Sequence, residues 1–164
     1  MASILEQFRG RNHGPAVQFV KYGISGGVAT VVHITLFSLM AWLVVPALSE
    51  RELVVKLFHV TAPNLSDVVR ARNAAIDNFV AFLFSNLTAY ILNVLWVFHR
   101  GRHHWAIEIG LFYAVSGLSM LIGTTIQTWL IVHFGLTTTT AFGANLVSSL
   151  LINFVLRKFV IFKG

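Results

Sequence analysis

Three long stretches of the chain contain no Asp, Glu, Lys or Arg: Tyr22–Ser49, Asn78–His99 and Ile109–Leu156, with 28, 22 and 48 residues. A membrane-spanning helix needs about 20 apolar residues to cross roughly 30 Å of hydrocarbon, so each of the first two stretches fits one crossing. The third is long enough for two crossings and has to fold back on itself. The pattern predicts an all-α, polytopic membrane protein that forms one domain over residues 1–164. Its four transmembrane helices are placed at about residues 23–45, 79–98, 109–132 and 138–156.

The connector between the first two spans, residues 46–75, is long for a loop between neighbouring helices. Its segment Glu50–Val60 places apolar side chains on one helical face: Leu53, Val54, Leu57 and Phe58. This pattern is typical of a short helix lying in the membrane interface, although an irregular loop fits the segment equally well. Further on, Ser66 and Asp67 have the side chains that cap helix N-termini, and they predict the start of a long second helix.

The composition agrees with a membrane environment. Of the 164 residues, 56% are hydrophobic and 11% are charged, whereas soluble domains carry about 25% charged residues. An ordinary soluble enzyme is therefore excluded, and we assign the net charge of +6 to membrane-flanking loops rather than to nucleic-acid binding. The absence of cysteine excludes a disulfide scaffold and a Cys-based metal or redox site. We expect no cofactor, and the charged first 18 residues predict no cleavable signal peptide.

Lys and Arg are distributed unevenly around the predicted spans. The first connector holds four of the twelve and the tip between the third and fourth spans holds none. The other eight lie at the N-terminus, in the turn between the second and third spans and at the C-terminus: Arg9, Arg11, Lys21, Arg100, Arg102, Arg157, Lys158 and Lys163. Because positive charge favours the cytoplasmic side, we expect both termini to be cytoplasmic.

The two predicted hairpins resemble each other. Tyr90–Phe98 ends the second span and Phe154–Phe162 ends the fourth, and both run from an aromatic residue to a closing Phe. The first and third spans open with similar segments, Tyr22–Gly27 and Tyr113–Gly117. Each copy holds two helices, so the copies would share one membrane orientation as parallel two-helix repeats.

The sequence resembles the GtrA-like family from about residue 19 to residue 162. The resemblance rests on the four spans and on three segments: Phe19–Thr30, Leu92–Phe98 and Asn153–Phe162. It implies a bacterial inner-membrane protein of cell-surface polysaccharide synthesis. Such a protein moves a sugar linked to a polyprenyl phosphate, such as undecaprenyl phosphate, from the cytoplasmic to the outer leaflet, beside a membrane glycosyltransferase. Two features depart from the family pattern: the first connector is longer, and Arg157 stands where Asn is common.

A flippase for such a lipid needs cations for the phosphate and polar groups for the sugar, because an uncompensated charge in hydrocarbon is costly. The candidate phosphate contacts are Lys21, Arg100, Arg102, Arg157 and Lys158, of which Arg157 ranks first because it lies at the edge of an apolar span. They equally fit topology signals that contact anionic lipids. The candidate polar pathway consists of His33, Asn86, Asn93, Gln127, Asn145 and Asn153. Hydrogen bonds between helices are the favoured interpretation for the asparagines, whereas for His33 the two interpretations fit equally well.

Other polar and small residues favour structural roles. Gly23, Gly26 and Gly27 fit close helix packing better than phosphate binding at a helix start. The basic turn contains three histidines but no carboxylate spaced to join them, so no metal site is expected.

Two other function classes compete with a flippase. A small multidrug exporter requires a carboxylate within a span, and here Asp77 and Glu108 lie only at predicted span ends. A membrane scaffold that recruits the glycosyltransferase stays open, because basic turns also serve protein contacts. An enzyme is not expected, since no catalytic arrangement lies at membrane depth. We further expect a gradient-driven flip and, because the charge bias is strong, a parallel homodimer surrounded by membrane lipids.

Overall fold

The computed structural model describes residues 8, 10, 14–50, 52–101, 103–135 and 138–162, without the side chains of residues 53, 54, 67, 127, 128, 131, 138–143 and 145. All regular elements in these ranges are helical. They are α1 (Pro15–Leu43), α2 (Leu53–Phe58), α3 (Asp67–Leu92), α4 (Trp105–Phe134) and α5 (Thr138–Leu156). Two π-helical turns, Asn93–Val97 and Arg157–Ile161, extend α3 and α5. The all-α prediction is confirmed for these ranges.

Three segments of the described helices are long and apolar enough to cross a membrane: Pro15–Leu43, Val68–Val97 and Trp105–Ile126. Helix α5 has the bounds expected for the fourth span but is not among these three, so four crossings stay a prediction. Helix α1 begins eight residues before the predicted start at Gly23, because Pro15 supplies the backbone angle of a first helical turn. Helix α3 begins after Ser66, whose Oγ accepts a hydrogen bond from the Val69 N–H at 3.5 Å, as a capping residue does.

The connector contains the short helix expected there, although it is shorter than the predicted segment. Val55 of α2 is buried in a small apolar cluster with Ala41, Ala47 and Leu48. Phe58, at the end of α2, is 73% exposed. One side of α2 therefore anchors the connector and the other is left apolar and uncovered, while its position in the membrane interface stays a prediction.

The chain divides into two compact units. The terminal unit comprises residues 1–25 and 90–164, and the middle unit comprises Gly26–Ala89. Helices α1 and α3 contribute residues to both units. In the terminal unit, α4 and α5 pack against each other, and the turn Arg157–Ile161 packs against both.

Two glycines lie in the chain on either side of α4, Gly101 in the turn before it and Gly135 directly after it. Gly135 has a positive φ of 60° directly after α4, which is the conformation that ends many helices. Gly101, in the turn before α4, lies so close to Ile161 that a β-carbon there would overlap its backbone oxygen. The absence of a side chain at Gly101 thus allows the turn to touch the π-helical end of the chain.

Candidate functional site

Arg157 is enclosed in the terminal unit, at the start of the π-helical turn after α5. Its side chain is 6% exposed. Nη1 donates to the Tyr22 hydroxyl at 3.2 Å and Nη2 donates to the Ser116 hydroxyl at 2.7 Å. The guanidinium carbon lies 3.6 Å from the centre of the Phe112 ring, whose negative face attracts a cation. Hydroxyls and an aromatic face hold this charge, with no carboxylate from the described residues.

Lys21, on α1, is the second buried cation of the terminal unit. Its side chain is 0% exposed. Nζ donates to the carbonyl oxygens of Gly10 at 2.6 Å and Trp96 at 3.4 Å, and it lies 5.2 Å from the centre of the Trp96 ring. Trp96 belongs to the turn that ends α3, where free carbonyl groups favour a positive charge. Gln18 binds the same turn by donating to the carbonyl of Val97 at 3.3 Å.

Glu108, in the first turn of α4, is a buried carboxylate of the terminal unit that has partners. Its side chain is 1% exposed. It accepts a hydrogen bond from the Tyr90 hydroxyl at 3.0 Å and another from the Gly101 backbone N–H at 3.0 Å. Glu108 therefore fixes the turn between α3 and α4, and a structural role accounts for its burial.

The aromatic rings of the terminal unit make contacts that come in matched pairs. Phe98 and Phe162, which follow the two π-helical turns, stack with ring centres 4.9 Å apart and an angle of 12° between planes. Each donates its backbone N–H to the first carbonyl of its own turn, at 2.8 and 2.9 Å. Six further ring contacts form three matched pairs, one contact around Tyr22 or Phe98 and its counterpart around Phe112 or Phe162. Tyr22–Phe154 matches Phe112–Tyr90, Tyr22–Phe98 matches Phe112–Phe162, and Phe98–Phe154 matches Phe162–Tyr90.

The middle unit holds a small cavity of about 160 Å³, with Thr30, His33, Ser85 and Asn86 among its lining residues. His33 is the nineteenth of the 29 residues of α1. Its Nδ1 lies 3.1 Å from the Ser85 hydroxyl and its Nε2 lies 3.0 Å from Oδ1 of Asn78. Both ring nitrogens therefore have partners on α3, and the imidazole joins the two helices within this unit.

Asp77 is the buried carboxyl group of the middle unit. It is 0% exposed, and neither carboxyl oxygen has a hydrogen-bond partner among the described residues. Asp77 is the eleventh of the 26 residues of α3 and directly precedes the uncharged run that begins at Asn78. The segment Val68–Val97 is longer than one crossing needs, so the place of Asp77 at a span end stays a prediction.

The predicted phosphate contacts are not brought together into one open cluster. Arg157 and Lys21 are enclosed, as described above, whereas Arg100 is exposed. Lys158 is half-buried, with its Nζ 5.5 Å from the centre of the Phe154 ring. Arg102 lies outside the described residues, together with Arg9, Arg11 and Lys163.

The predicted polar pathway is divided between the two units. Asn86 lines the cavity of the middle unit, and Asn93 is 1% exposed in the terminal unit. Asn153 donates to the Ser149 carbonyl of its own helix at 2.9 Å, and the Ser149 hydroxyl donates to the Ser119 carbonyl of α4 at 3.2 Å. The side chains of Gln127 and Asn145 lie outside the described part of the chain.

The prediction that the early glycines pack against neighbouring helices is wrong within this chain. A β-carbon at Gly23, Gly26, Gly27 or Gly117 would meet nothing within 4 Å. The close approach that requires glycine occurs instead at Gly101, in the basic turn.

Sequence reasoning missed the partners of the buried cations. Tyr22 and Ser116 were noticed only as parts of a repeated pattern, yet they hold Arg157. Ser85 carried no signal, because a lone serine in an apolar run is common. The available signal for Asp77 was its spacing of four residues from Asn73 and Ala81, which lie with it on one buried helix face.

Comparison with known protein families assigns the chain to one of them. The model of the family described as "GtrA/DPMS, transmembrane domain" matches residues 21–162. Most of the chain is covered, so the protein belongs to this family and the GtrA-like resemblance is confirmed. No curated protein and no solved structure matches the chain. Membership identifies a membrane protein related to the handling of lipid-linked sugars.

Proposed function

We propose that this member of the GtrA/DPMS family translocates a polyprenyl-phosphate-linked sugar from the cytoplasmic to the outer leaflet, for cell-surface polysaccharide or glycan modification. The family match supports a role in lipid-linked sugar handling. The proposed location is the bacterial inner membrane, with both termini in the cytoplasm, as the distribution of Lys and Arg favours.

The observation that carries the proposal is the pair of buried cations in the terminal unit. Lys21 and Arg157 are bound by carbonyls, hydroxyls and rings rather than by carboxylates. Nε of Arg157 has no hydrogen-bond partner within the described residues. Positive charge buried without an ion pair favours an anion, and the guanidinium fork suits phosphate. Because both cations are enclosed, a phosphate would reach them only in a more open conformation, which the lipid itself would select.

Polar groups at membrane depth in the middle unit support the second requirement, which is hydrogen bonding to a sugar. His33, Ser85 and Asn86 line a cavity formed by two helices that are otherwise largely apolar. Neutral hydroxyls and amides can exchange their bonds with those of a sugar at little cost, because each bond lost is replaced by one of the same kind.

We also propose that the chain is a duplicated hairpin with four spans. The matched ring contacts support this proposal, because exchanging Phe98 with Phe162 and Tyr90 with Phe154 reproduces the pattern. The rings pair Tyr22 with Phe112, one residue from the Tyr113 that the sequence pattern suggested. A parallel homodimer and a membrane glycosyltransferase as partner complete the proposal.

The enclosure of Arg157 favours one competing function, the non-transporting scaffold. A guanidinium at 6% exposure that binds Tyr22 and Ser116 also fits a purely structural role. In that case the protein would hold a glycosyltransferase at the membrane and move no lipid.

The test is transport by purified protein in liposomes that contain a fluorescent polyprenyl-phosphate sugar, read as the fraction accessible to an external quencher. We expect the wild type to move this lipid and to leave fluorescent phosphatidylcholine in place. Arg157→Met, which keeps an unbranched apolar side chain but removes the guanidinium group and its charge, should lower the rate at least tenfold. Lys56→Met is the matched control, because Lys56 is an exposed cation of the connector.

Each alternative outcome is informative. No movement by folded wild-type protein, together with co-purification of a glycosyltransferase, would support the scaffold. Equal rates for Arg157→Met and wild type would retain the flippase and reject the phosphate contact. A circular-dichroism spectrum of Arg157→Met that matches the wild type ensures that the loss is not one of folding.

A further inference from the structure

Asp77 is a buried carboxyl group of α3 that neither the fold nor the proposed lipid path uses. It lies within the apolar segment Val68–Val97, is 0% exposed, and both of its oxygens lack a hydrogen-bond partner in the described part of the chain. Glu108 shows the contrast, since that buried carboxylate accepts bonds from a hydroxyl and a backbone N–H. A group that stabilised the fold in its charged form would have such partners.

The surroundings of Asp77 supply no compensating charge. On α1 of the middle unit the titratable side chain is His33, whose ring nitrogens bind Asn78 and Ser85. On α3, Arg72 donates to Asn73, which in turn donates to the carbonyl of Pro46. The charged and titratable side chains described elsewhere in this unit are Glu50, Glu52, Lys56, His59 and Arg70; the first four are exposed, and Arg70 makes no hydrogen bond to Asp77. Arg51 and the side chain of Asp67 lie outside the described residues.

The charged form of Asp77 is therefore unfavourable in this conformation. A carboxylate removed from water without a cation or hydrogen-bond donors takes up a proton instead of remaining charged. The neutral acid has no net charge to compensate, and it fits a helix that also buries Asn73 and Ala81 on the same face. The structure thus corresponds to the protonated state.

A proton fits this site better than a metal ion. The described residues contain no group of three or more His, Cys, Asp or Glu side chains that could hold a metal. A bound calcium or magnesium ion requires several converging oxygen ligands, and Asp77 belongs to no such group of acidic side chains among the described residues. A proton requires only the carboxyl group itself.

We propose that Asp77 is a proton-binding site whose protonation and deprotonation accompany the transport step. In the conformation described here the group is a neutral acid. When the middle unit opens, the O–H bond breaks, the proton passes to water, and the carboxylate remains until it is protonated again. The proton is taken up from one side of the membrane and released to the other as the conformation changes, so a pH difference across the membrane drives the lipid movement. The coupling to lipid movement rests on the proposed function, whereas proton binding by Asp77 does not.

The first experiment tests proton binding without any substrate. Infrared spectra of the protein in liposomes at neutral pH should contain the carbonyl band of a protonated carboxylic acid. Asp77→Asn should remove that band and Glu52→Gln, an exposed carboxyl of the connector, should retain it. Raising the pH should remove the wild-type band. Spectra of wild type and Asp77→Asn without a difference in this band at neutral pH would overturn the proposal.

The second experiment tests coupling, in liposomes with a fluorescent polyprenyl-phosphate sugar and an imposed pH difference. A step linked to one proton changes its equilibrium by up to about tenfold per pH unit. We expect the wild-type rate to respond to the pH difference and to lose this response when an ionophore collapses it. Asp77→Asn, which mimics the neutral acid, should move lipid at a rate independent of the pH difference, while Glu52→Gln should respond as the wild type does.

The two experiments separate the possible failures. If the wild type moves no lipid, the proposed function is rejected, and the infrared band still decides whether Asp77 binds a proton. If lipid moves and Asp77→Asn responds to the pH difference as the wild type does, the coupling is overturned even when the band is present.

Discussion

The buried charged and titratable side chains of the terminal unit and those of the middle unit have different surroundings. In the terminal unit Lys21, Glu108 and Arg157 all have hydrogen-bond partners, so burial and charge are reconciled by local contacts. In the middle unit the buried carboxyl of Asp77 has none within the described residues. Hydrogen bonds compensate a buried charge, whereas a buried carboxyl without them favours its neutral form. The contrast is consistent with charged side chains in the terminal unit and with the proton-binding carboxyl that we propose in the middle unit.

The largest effect is expected from Gly101→Ala in the terminal unit. A β-carbon at this position overlaps the backbone oxygen of Ile161, and a backbone group cannot rotate away as a side chain can. We expect a loss of about 3 kcal/mol in stability, read as a lower midpoint of thermal unfolding in detergent.

Gly26→Ala in the middle unit is the matched control for Gly101→Ala. Its β-carbon would meet nothing within 4 Å, and alanine favours a helix over glycine by about 1 kcal/mol. We expect no loss of stability for this variant. Equal losses at both positions would contradict the rigid contact that we assign to Gly101.

The two buried carboxyl groups, Glu108 and Asp77, are compared by replacing each with its amide. Glu108→Gln loses charge-assisted bonds to Tyr90 and Gly101, and we expect a cost of about 2 kcal/mol. Asp77→Asn replaces a neutral acid by a neutral amide of the same shape and removes the cost of keeping Asp77 protonated at neutral pH, so we expect no loss and a gain in stability at neutral pH. Unfolding by denaturant in mixed micelles measures both values. A cost at Asp77 that equals the cost at Glu108 would indicate that Asp77 is charged and has partners.

The same comparison predicts whether the stability of the protein rises or falls with pH. Rising pH favours the charged form of Asp77, which has no partner in the folded state. An aspartic acid in the unfolded chain loses its proton at about pH 4, so wild-type stability should fall as the pH rises from about 4 towards neutral, and Asp77→Asn should remove that part of the loss. A wild-type stability that rises over this range because of Asp77 would contradict a neutral acid in the folded state.

The sequence predicted the apolar helices well and the polar contacts poorly. Helix α5 has the predicted bounds, because a continuous apolar run determines its length. Helix α1 begins before the predicted span at Gly23, because Gln18 and Lys21 lie on it and their side chains bind carbonyls of the turn after α3. The π-helical turns have no signature in composition, because they differ from an α-helix only in which carbonyl each N–H selects.

The burial of Asp77 could not be predicted from the sequence either. A carboxyl next to an uncharged run reads as the boundary of a membrane segment, and only the placement of neighbouring helices determines whether it is covered. The same reason explains Arg157: its position at a span edge was predicted, but the hydroxyls of Tyr22 and Ser116 that hold it come from other helices.

A smaller effect is expected from Tyr22→Phe. The phenol hydroxyl accepts a hydrogen bond from Arg157 at 3.2 Å, and its loss leaves a charged donor without that partner. The ring contacts with Phe98 and Phe154 are retained in the variant. We expect a cost of about 1.5 kcal/mol in thermal stability, because bonds to charged groups are worth more than neutral ones. A change below about 0.5 kcal/mol would show that Arg157 does not depend on this hydroxyl.

The smallest effect is expected from a serine of the middle unit. Ser85 has one hydroxyl hydrogen and two acceptors near it, the His33 ring at 3.1 Å and the Phe82 carbonyl at 3.2 Å. Its bonds are neutral and the Phe82 carbonyl also serves the helix, so Ser85→Ala should cost only about 0.5 kcal/mol. Ser116→Ala, which deprives Arg157 of its 2.7 Å acceptor in the terminal unit, should cost about three times as much. If chemical unfolding shows that Ser85→Ala costs more stability than Ser116→Ala, the stronger polar contacts lie in the middle unit. The contrast drawn between the two units would then be wrong.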